Sequence, residues 1–114
     1  MDEIFIKDLL VQGVIGIHDW ERTQTQNILV NIRMFTDTRQ AAKSDDIADC
    51  IDYGEMTRKI QTLIEKSSHF TVEALAEDIA INCLYHPSVK KVVVRVEKPG
   101  VVKGTASVGV QIER

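Results

Sequence analysis

Apolar residues crowd the start of the chain without a regular period: Ile4, Ile6, Leu9, Leu10, Val11, Val14, Ile15 and Ile17. The segment from Ile4 to His18 is predicted to be one long, irregular strand, with Gly13 and Gly16 as the bulge or bend sites that break its alternation. Asp19 to Asn27 is polar and reads as a loop. Beyond it the period becomes two: Ile28, Val30, Ile32 and Met34 alternate with Leu29, Asn31, Arg33 and Phe35, the mark of a second strand. A turn-rich connection follows over Ala41 to Cys50, around Lys43-Ser44-Asp45-Asp46.

The period then changes to that of a helix. Asp52 is placed as an N-cap, with Glu55 three residues on to complete a capping box. Met56, Ile60, Leu63 and Ile64 form the buried stripe of this helix, and Tyr53 falls on the same stripe. Ser67-Ser68-His69 interrupts the pattern, and Thr71 is the next cap. Val72, Leu75, Ala76, Ile79, Ala80, Cys83 and Leu84 repeat at helical spacing until Pro87 stops the helix. The run from Val92 to Lys98 predicts a third strand, and Ala106, Val108, Val110 and Ile112 a fourth. The order β-β-α-α-β-β points to an α+β fold, an antiparallel four-stranded sheet with two helices on one face. Such an open sheet has two exposed edges, and pairing between copies of the chain is one way to cover them.

Composition narrows the classes. With 114 residues the chain is sized for one modest domain, residues 1–114, and nothing in it reads as a linker or repeat. Fourteen Lys and Arg against seventeen Asp and Glu leave a net charge of −3, which gives nucleic acid no basic footprint to meet. No stretch approaches the length of a membrane span. The acidic start, Met1-Asp2-Glu3, has no apolar signal core behind it, so a cytoplasmic protein is expected. Cys50 and Cys83 are then not expected to pair. The histidines, His18, His69 and His86, lack the spacing of a metal site, and no bound metal is expected.

Four polar residues stand out at the ends of these elements. Lys98 shares a strand face with Val92, Val94 and Val96, while Arg95 and Glu97 take the other, and Pro99-Gly100 follows at once. A lysine held at the end of an apolar face is a candidate for proton transfer; on the strand alone, a stem lying on apolar surface with its ammonium in water is the plainer reading. Glu73 lies in the first turn of the second helix, at the margin of its buried stripe, where the free backbone N–H groups favour a carboxylate. Tyr53 begins the first helix with an apolar ring and a hydroxyl in need of a partner. Glu21 follows Trp20 in the loop after the first strand, where a lone glutamate is usually solvated; a loop tryptophan covers a pocket or packs an interface, and the pattern does not choose between them. A carboxylate, a phenol and a lysine at element ends suit acid–base work on a small polar molecule.

Six segments carry a resemblance to a known family: Ile15-Gly16-Ile17-His18-Asp19-Trp20-Glu21, Ala42-Lys43-Ser44-Asp45-Asp46, Asp52-Tyr53-Gly54-Glu55, Thr71-Val72-Glu73-Ala74-Leu75-Ala76, Val96-Glu97-Lys98-Pro99-Gly100 and Ser107-Val108-Gly109-Val110. In this order and spacing the chain resembles the dihydroneopterin aldolases, small folate-pathway enzymes of the tunnelling fold. The resemblance implies a ββααββ subunit whose sheet joins those of its neighbours into a barrel. It implies a ring of four subunits, commonly two rings stacked as an octamer, and sites at subunit interfaces, with Tyr53 and Glu73 of one site drawn from different chains. It implies retro-aldol cleavage of 7,8-dihydroneopterin without a cofactor, since the substrate's own C6=N5 imine stores the electrons. By the resemblance, Glu73 binds the pterin's donor edge with backbone groups near Val72 and Asp52. Lys98 handles the proton of the side-chain hydroxyl with an ordered water. Tyr53 packs by the ring and assists protonation of the enamine, and Glu21 orients the hydroxylated side chain.

Three other readings compete. A dihydroneopterin triphosphate epimerase would share the fold, but the Lys98-Pro99-Gly100 turn is closer to the aldolase pattern. Few basic residues stand near the site for a triphosphate, Arg22 and Lys103 being the exceptions. GTP cyclohydrolase and pyruvoyl-tetrahydropterin synthase share the tunnelling fold but use zinc, for which this chain lacks a ligand cluster. A non-catalytic ring protein binding a purine or pterin would keep the core pattern without needing Lys98 and Tyr53 together.

Overall fold

The computed structural model describes residues 1–114. Four strands form one antiparallel sheet in the order β1-β2-β3-β4: β1 Asp2–Gly13, β2 Gln26–Thr36, β3 Lys91–Pro99 and β4 Ser107–Glu113. Two long helices, α3 Tyr53–Lys66 and α4 Val72–Leu84, cover one face. This is the predicted order and α+β class, with three short additions: α1 Asp19–Thr23, α2 Arg39–Ser44 and a 3₁₀ turn over Ile47–Asp49.

The irregular pattern of β1 has a local cause. The register against β2 shifts between Ile6 and Leu9, and Asp8 takes a positive φ of 55° there. The Asp8 N–H donates to Asn31 Oδ1 at 2.8 Å instead of to a ladder carbonyl. One extra residue reverses the alternation, so Ile4 and Ile6 before the bulge and Leu9 and Val11 after it meet the same core. The bulge therefore lies at Asp8 rather than at Gly13 or Gly16. The strand also ends at Gly13, five residues earlier than the apolar run predicts, and residues 14–18 leave the sheet to become one wall of a cleft.

The core lies between sheet and helices. Ile28, Val30, Ile32 and Met34 of β2 and Val92, Val94 and Val96 of β3 face Met56, Ile60 and Ile64 of α3 and Leu75, Ala76, Ile79 and Cys83 of α4. Burial of each larger side chain contributes roughly 1.5–3 kcal/mol, which fixes the faces of both helices and so the direction of their first turns. Thr71 caps α4 as predicted, its Oγ1 accepting from the Ala74 N–H at 3.1 Å. Asp52 caps α3 through Oδ1, which accepts from the Glu55 N–H at 3.0 Å.

Tyr53 departs from the pattern. It is 65% exposed, not part of the buried α3 stripe. As the first residue of the helix it projects before the turn that contacts the sheet, and its hydroxyl makes no bond within the chain.

Candidate active site

Lys98 leaves β3 on the core side of the sheet, opposite Val108 of β4, where the apolar face runs out. The side chain is only 16% exposed, and its Nζ donates to Glu21 Oε2 at 2.7 Å. Glu21 is neither solvated nor in a loop. Helix α1 turns it inward, its side chain is 5% exposed, and three donors hold its carboxylate. Besides Lys98, the His18 N–H reaches Oε1 at 3.2 Å and Gln26 Nε2 reaches Oε2 at 3.2 Å. Gln26 Nε2 also donates to the Ile15 carbonyl at 2.8 Å; two acceptors on one side of the amide fix its orientation.

Gly16 makes room for this arrangement. Its φ is +127°, and a Cβ there would stand 2.1 Å from the Glu21 Cδ. Only glycine can occupy a position that is both strained for other residues and filled by a carboxylate.

These contacts hold Glu21 well below the usual carboxylate range, at about 2, with the Lys98 hydrogen bond the largest cause, opposed by desolvation and aided by His18 and Gln26. The sign of the linkage is that of a depressed acid. Glu21 stabilises the fold fully above the pH at which an unconstrained glutamate titrates, about 4.5, and this contribution is lost as pH falls toward about 2. Acid unfolding followed by circular dichroism is expected to lose stability over that window. The Glu21→Gln variant is expected to show a shallower pH dependence there.

Glu73 occupies the first turn of α4, lines the same cleft as Lys98, and is exposed rather than half-covered by its helix. Beside it, the N–H groups of Val72 and Glu73 lie at the open start of the helix and have no intrahelical acceptor. The cleft encloses about 510 Å³ and gathers Glu21, Val72, Glu73 and Lys98, with Trp20 and Phe70 on its rim. Trp20 is half-exposed and lies parallel to the His18 ring, 6.3 Å between centroids.

The structure brings four of the six predicted site residues together. The other two stand apart. Tyr53 lines a separate depression with Ile4, Thr36 and Ile51. Asp52 borders a third with Glu55 and Lys59, and one of its oxygens is used by the helix cap. Arg22, the predicted anion-binding candidate, has both terminal guanidinium nitrogens turned onto main-chain carbonyls; Lys103 is exposed in the β3–β4 loop. Sequence reasoning missed Gln26, whose role shows only once β2 is paired with β1, and the constraint on Gly16, which depends on where α1 turns Glu21. No group of three His, Cys, Asp or Glu side chains is arranged to hold a metal ion, and no helix is long and apolar enough to cross a membrane.

A sheet-and-helix fold whose cleft is lined by a largely covered lysine–carboxylate pair and by an open carboxylate at a helix start is suited to acid–base chemistry on a small polar molecule. The family model described as FolB, dihydroneopterin aldolase, matches residues 4–113. Dihydroneopterin aldolase of Escherichia coli is 40% identical over all of this chain and 93% of its own length. Its crystal structure in complex with neopterin superposes with a TM-score of 0.96, covering 100% of this chain and 99% of that one. Folic acid synthesis protein FOL1 of Dictyostelium discoideum is also 40% identical over the whole chain, which spans 17% of that protein. A dihydroneopterin triphosphate 2'-epimerase of Pseudomonas aeruginosa is more distant, at 26% identity over 98% of the chain. The chain belongs to the dihydroneopterin aldolase family.

Proposed function

We propose that this protein is the dihydroneopterin aldolase of a folate pathway, acting in the cytoplasm, and that the cleft between Lys98 and Glu73 is its catalytic half-site. The observation that carries this reading is the Lys98–Glu21 pair, buried in the same cleft as an open carboxylate at the start of α4.

Glu73 accepts the ring amide N–H and the amino group of the pterin, a donor–donor edge that an ionised carboxylate satisfies with two charge-assisted bonds. The Val72 and Glu73 N–H groups are at hand for ring acceptors. The hydroxylated side chain of 7,8-dihydroneopterin then extends toward Lys98 and Glu21. The hydroxyl on the far carbon of the scissile bond, the carbon that leaves as the aldehyde, gives its proton to the free-amine form of Lys98, directly or through a water. The carbon–carbon electrons flow into C6=N5, leaving an enamine and releasing glycolaldehyde. A proton returned to the exocyclic carbon gives 6-hydroxymethyl-7,8-dihydropterin. Glu21, almost wholly covered, positions the lysine and meets the substrate hydroxyls only at its edge.

Tyr53, the expected donor to the enamine, lies outside this cleft within its own chain. A neighbouring subunit supplies it, through pairing of the open β1 and β4 edges into a ring of subunits; Asp52 enters the site with it.

Incubation with 7,8-dihydroneopterin is expected to release glycolaldehyde and the hydroxymethyl pterin in equal amounts. Epimer formation from the triphosphate without glycolaldehyde would favour the epimerase, and pterin binding without turnover a non-catalytic ring. The engagement of Arg22 by carbonyls supports the unphosphorylated substrate.

A further inference from the structure

Two segments outside regular secondary structure form facing walls of the cleft. Residues 14–18 lead into α1 and set Glu21, hence Lys98; residues 67–71 lead into α4 and set Glu73. No strand ladder joins them. Between these walls the backbone makes one bond, from the Gly16 N–H to the His69 carbonyl at 3.4 Å, a weak length for such a bond.

Arg22 supplies the rest. Its Nη1 donates to the Gly16 carbonyl at 3.0 Å and to the His69 carbonyl at 3.1 Å, and its Nη2 donates to the Ser68 carbonyl. The guanidinium also lies over the Phe70 ring, 4.1 Å from its centroid. No carboxylate pairs with Arg22. A planar fork with several fixed donors can bridge three carbonyls and stack on a ring, whereas a lysine's single ammonium cannot do both.

We infer that Arg22 is a positioning residue that locks the Gly16 wall to the Ser68–Phe70 wall and so fixes the distance between ring recognition at Glu73 and proton transfer at Lys98. The inference rests on the proposed function for its kinetic consequence, but the clamp itself does not. Misplacement of a reacting group by about 1 Å can cost about 10²-fold in rate; loss of the clamp should therefore lower kcat while each half of the cleft still works alone.

The test compares Arg22→Ala and Arg22→Lys with the wild-type protein. In Arg22→Ala, amide hydrogen exchange is expected to quicken at residues 14–18 and 67–71, with the sheet and the bodies of α3 and α4 unchanged. Affinity for 6-methylpterin, which has the ring but no hydroxylated side chain, should stay within about threefold, whereas kcat for 7,8-dihydroneopterin falls about 10- to 100-fold. Arg22→Lys should recover part of kcat; if the alanine variant does not fold, the lysine variant decides, with a smaller fall in kcat at unchanged ring affinity. A kcat within twofold of wild type in a folded variant, or ring affinity falling as far as kcat, overturns the inference. If the wild-type protein turns over no dihydroneopterin while the exchange pattern still changes, the proposed function fails and the clamp stands.

Discussion

Lys98→Ala is expected to lower glycolaldehyde release by about 10²–10⁴-fold, the usual range for loss of a general acid–base group, with affinity for the pterin ring retained. The geometry separates the two effects. Lys98, one residue before the end of β3, lies on the core side and meets Glu21 at 2.7 Å, whereas Glu73 stands on a different element lining the same cleft. The single substitution has a second consequence, because it leaves a covered carboxylate without its nearest partner. Breaking such a pair costs about 3–5 kcal/mol, so a lower melting temperature accompanies the rate loss. The double variant Lys98→Met/Glu21→Gln removes both charges. It should regain most of the stability and none of the activity, which distinguishes a lysine that moves a proton from one that only holds a helix in place. Steady-state release of glycolaldehyde and thermal unfolding on the same samples check both points; unchanged turnover in a folded Lys98→Ala would remove the lysine from the mechanism.

Glu73→Ala is expected to act on binding instead. Two hydrogen bonds to an ionised group contribute roughly 1.5–3 kcal/mol each, so affinity for a pterin ring should fall about 10²-fold or more. Stability should barely change. Glu73 is exposed, makes no side-chain hydrogen bond within the chain, and contributes only a first-turn interaction with the helix dipole, worth about 0.3–1 kcal/mol. Titration with 6-methylpterin, alongside thermal unfolding, gives the answer. Wild-type ring affinity in the alanine variant would place recognition elsewhere in the cleft.

Much of this was legible in the sequence because it rests on periodicity. The helical stripe of α4 and the alternation of β2 and β3 each follow from one element's own pattern, and they fix the face on which Lys98 leaves the sheet. The Thr71 and Asp52 caps are equally local. What the sequence left open depends on contacts distant along the chain. Asp8 bulges because Asn31 of the neighbouring strand offers it a side-chain acceptor, which no pattern in β1 announces. Glu21 looked like a solvated loop acid because its partner is 77 positions away. Angle alone puts Tyr53 on the α3 stripe, but a helix's first residue lies beyond the turn that packs, and its ring stays exposed. Arg22 looked like a free basic residue because its partners are main-chain carbonyls, which leave no trace in side-chain identity.

One chain is proposed to supply Lys98, Glu21 and Glu73 while Tyr53 comes from another. Mixing subunits tests it most directly. Lys98→Ala and Tyr53→Phe chains, each nearly inactive alone, are unfolded together, refolded in equal amounts and assayed for glycolaldehyde. Random assembly should restore roughly a quarter of the wild-type activity, the fraction of interfaces joining an intact lysine to an intact tyrosine. Activity no higher than that of the separate variants would show that the site is built within one chain.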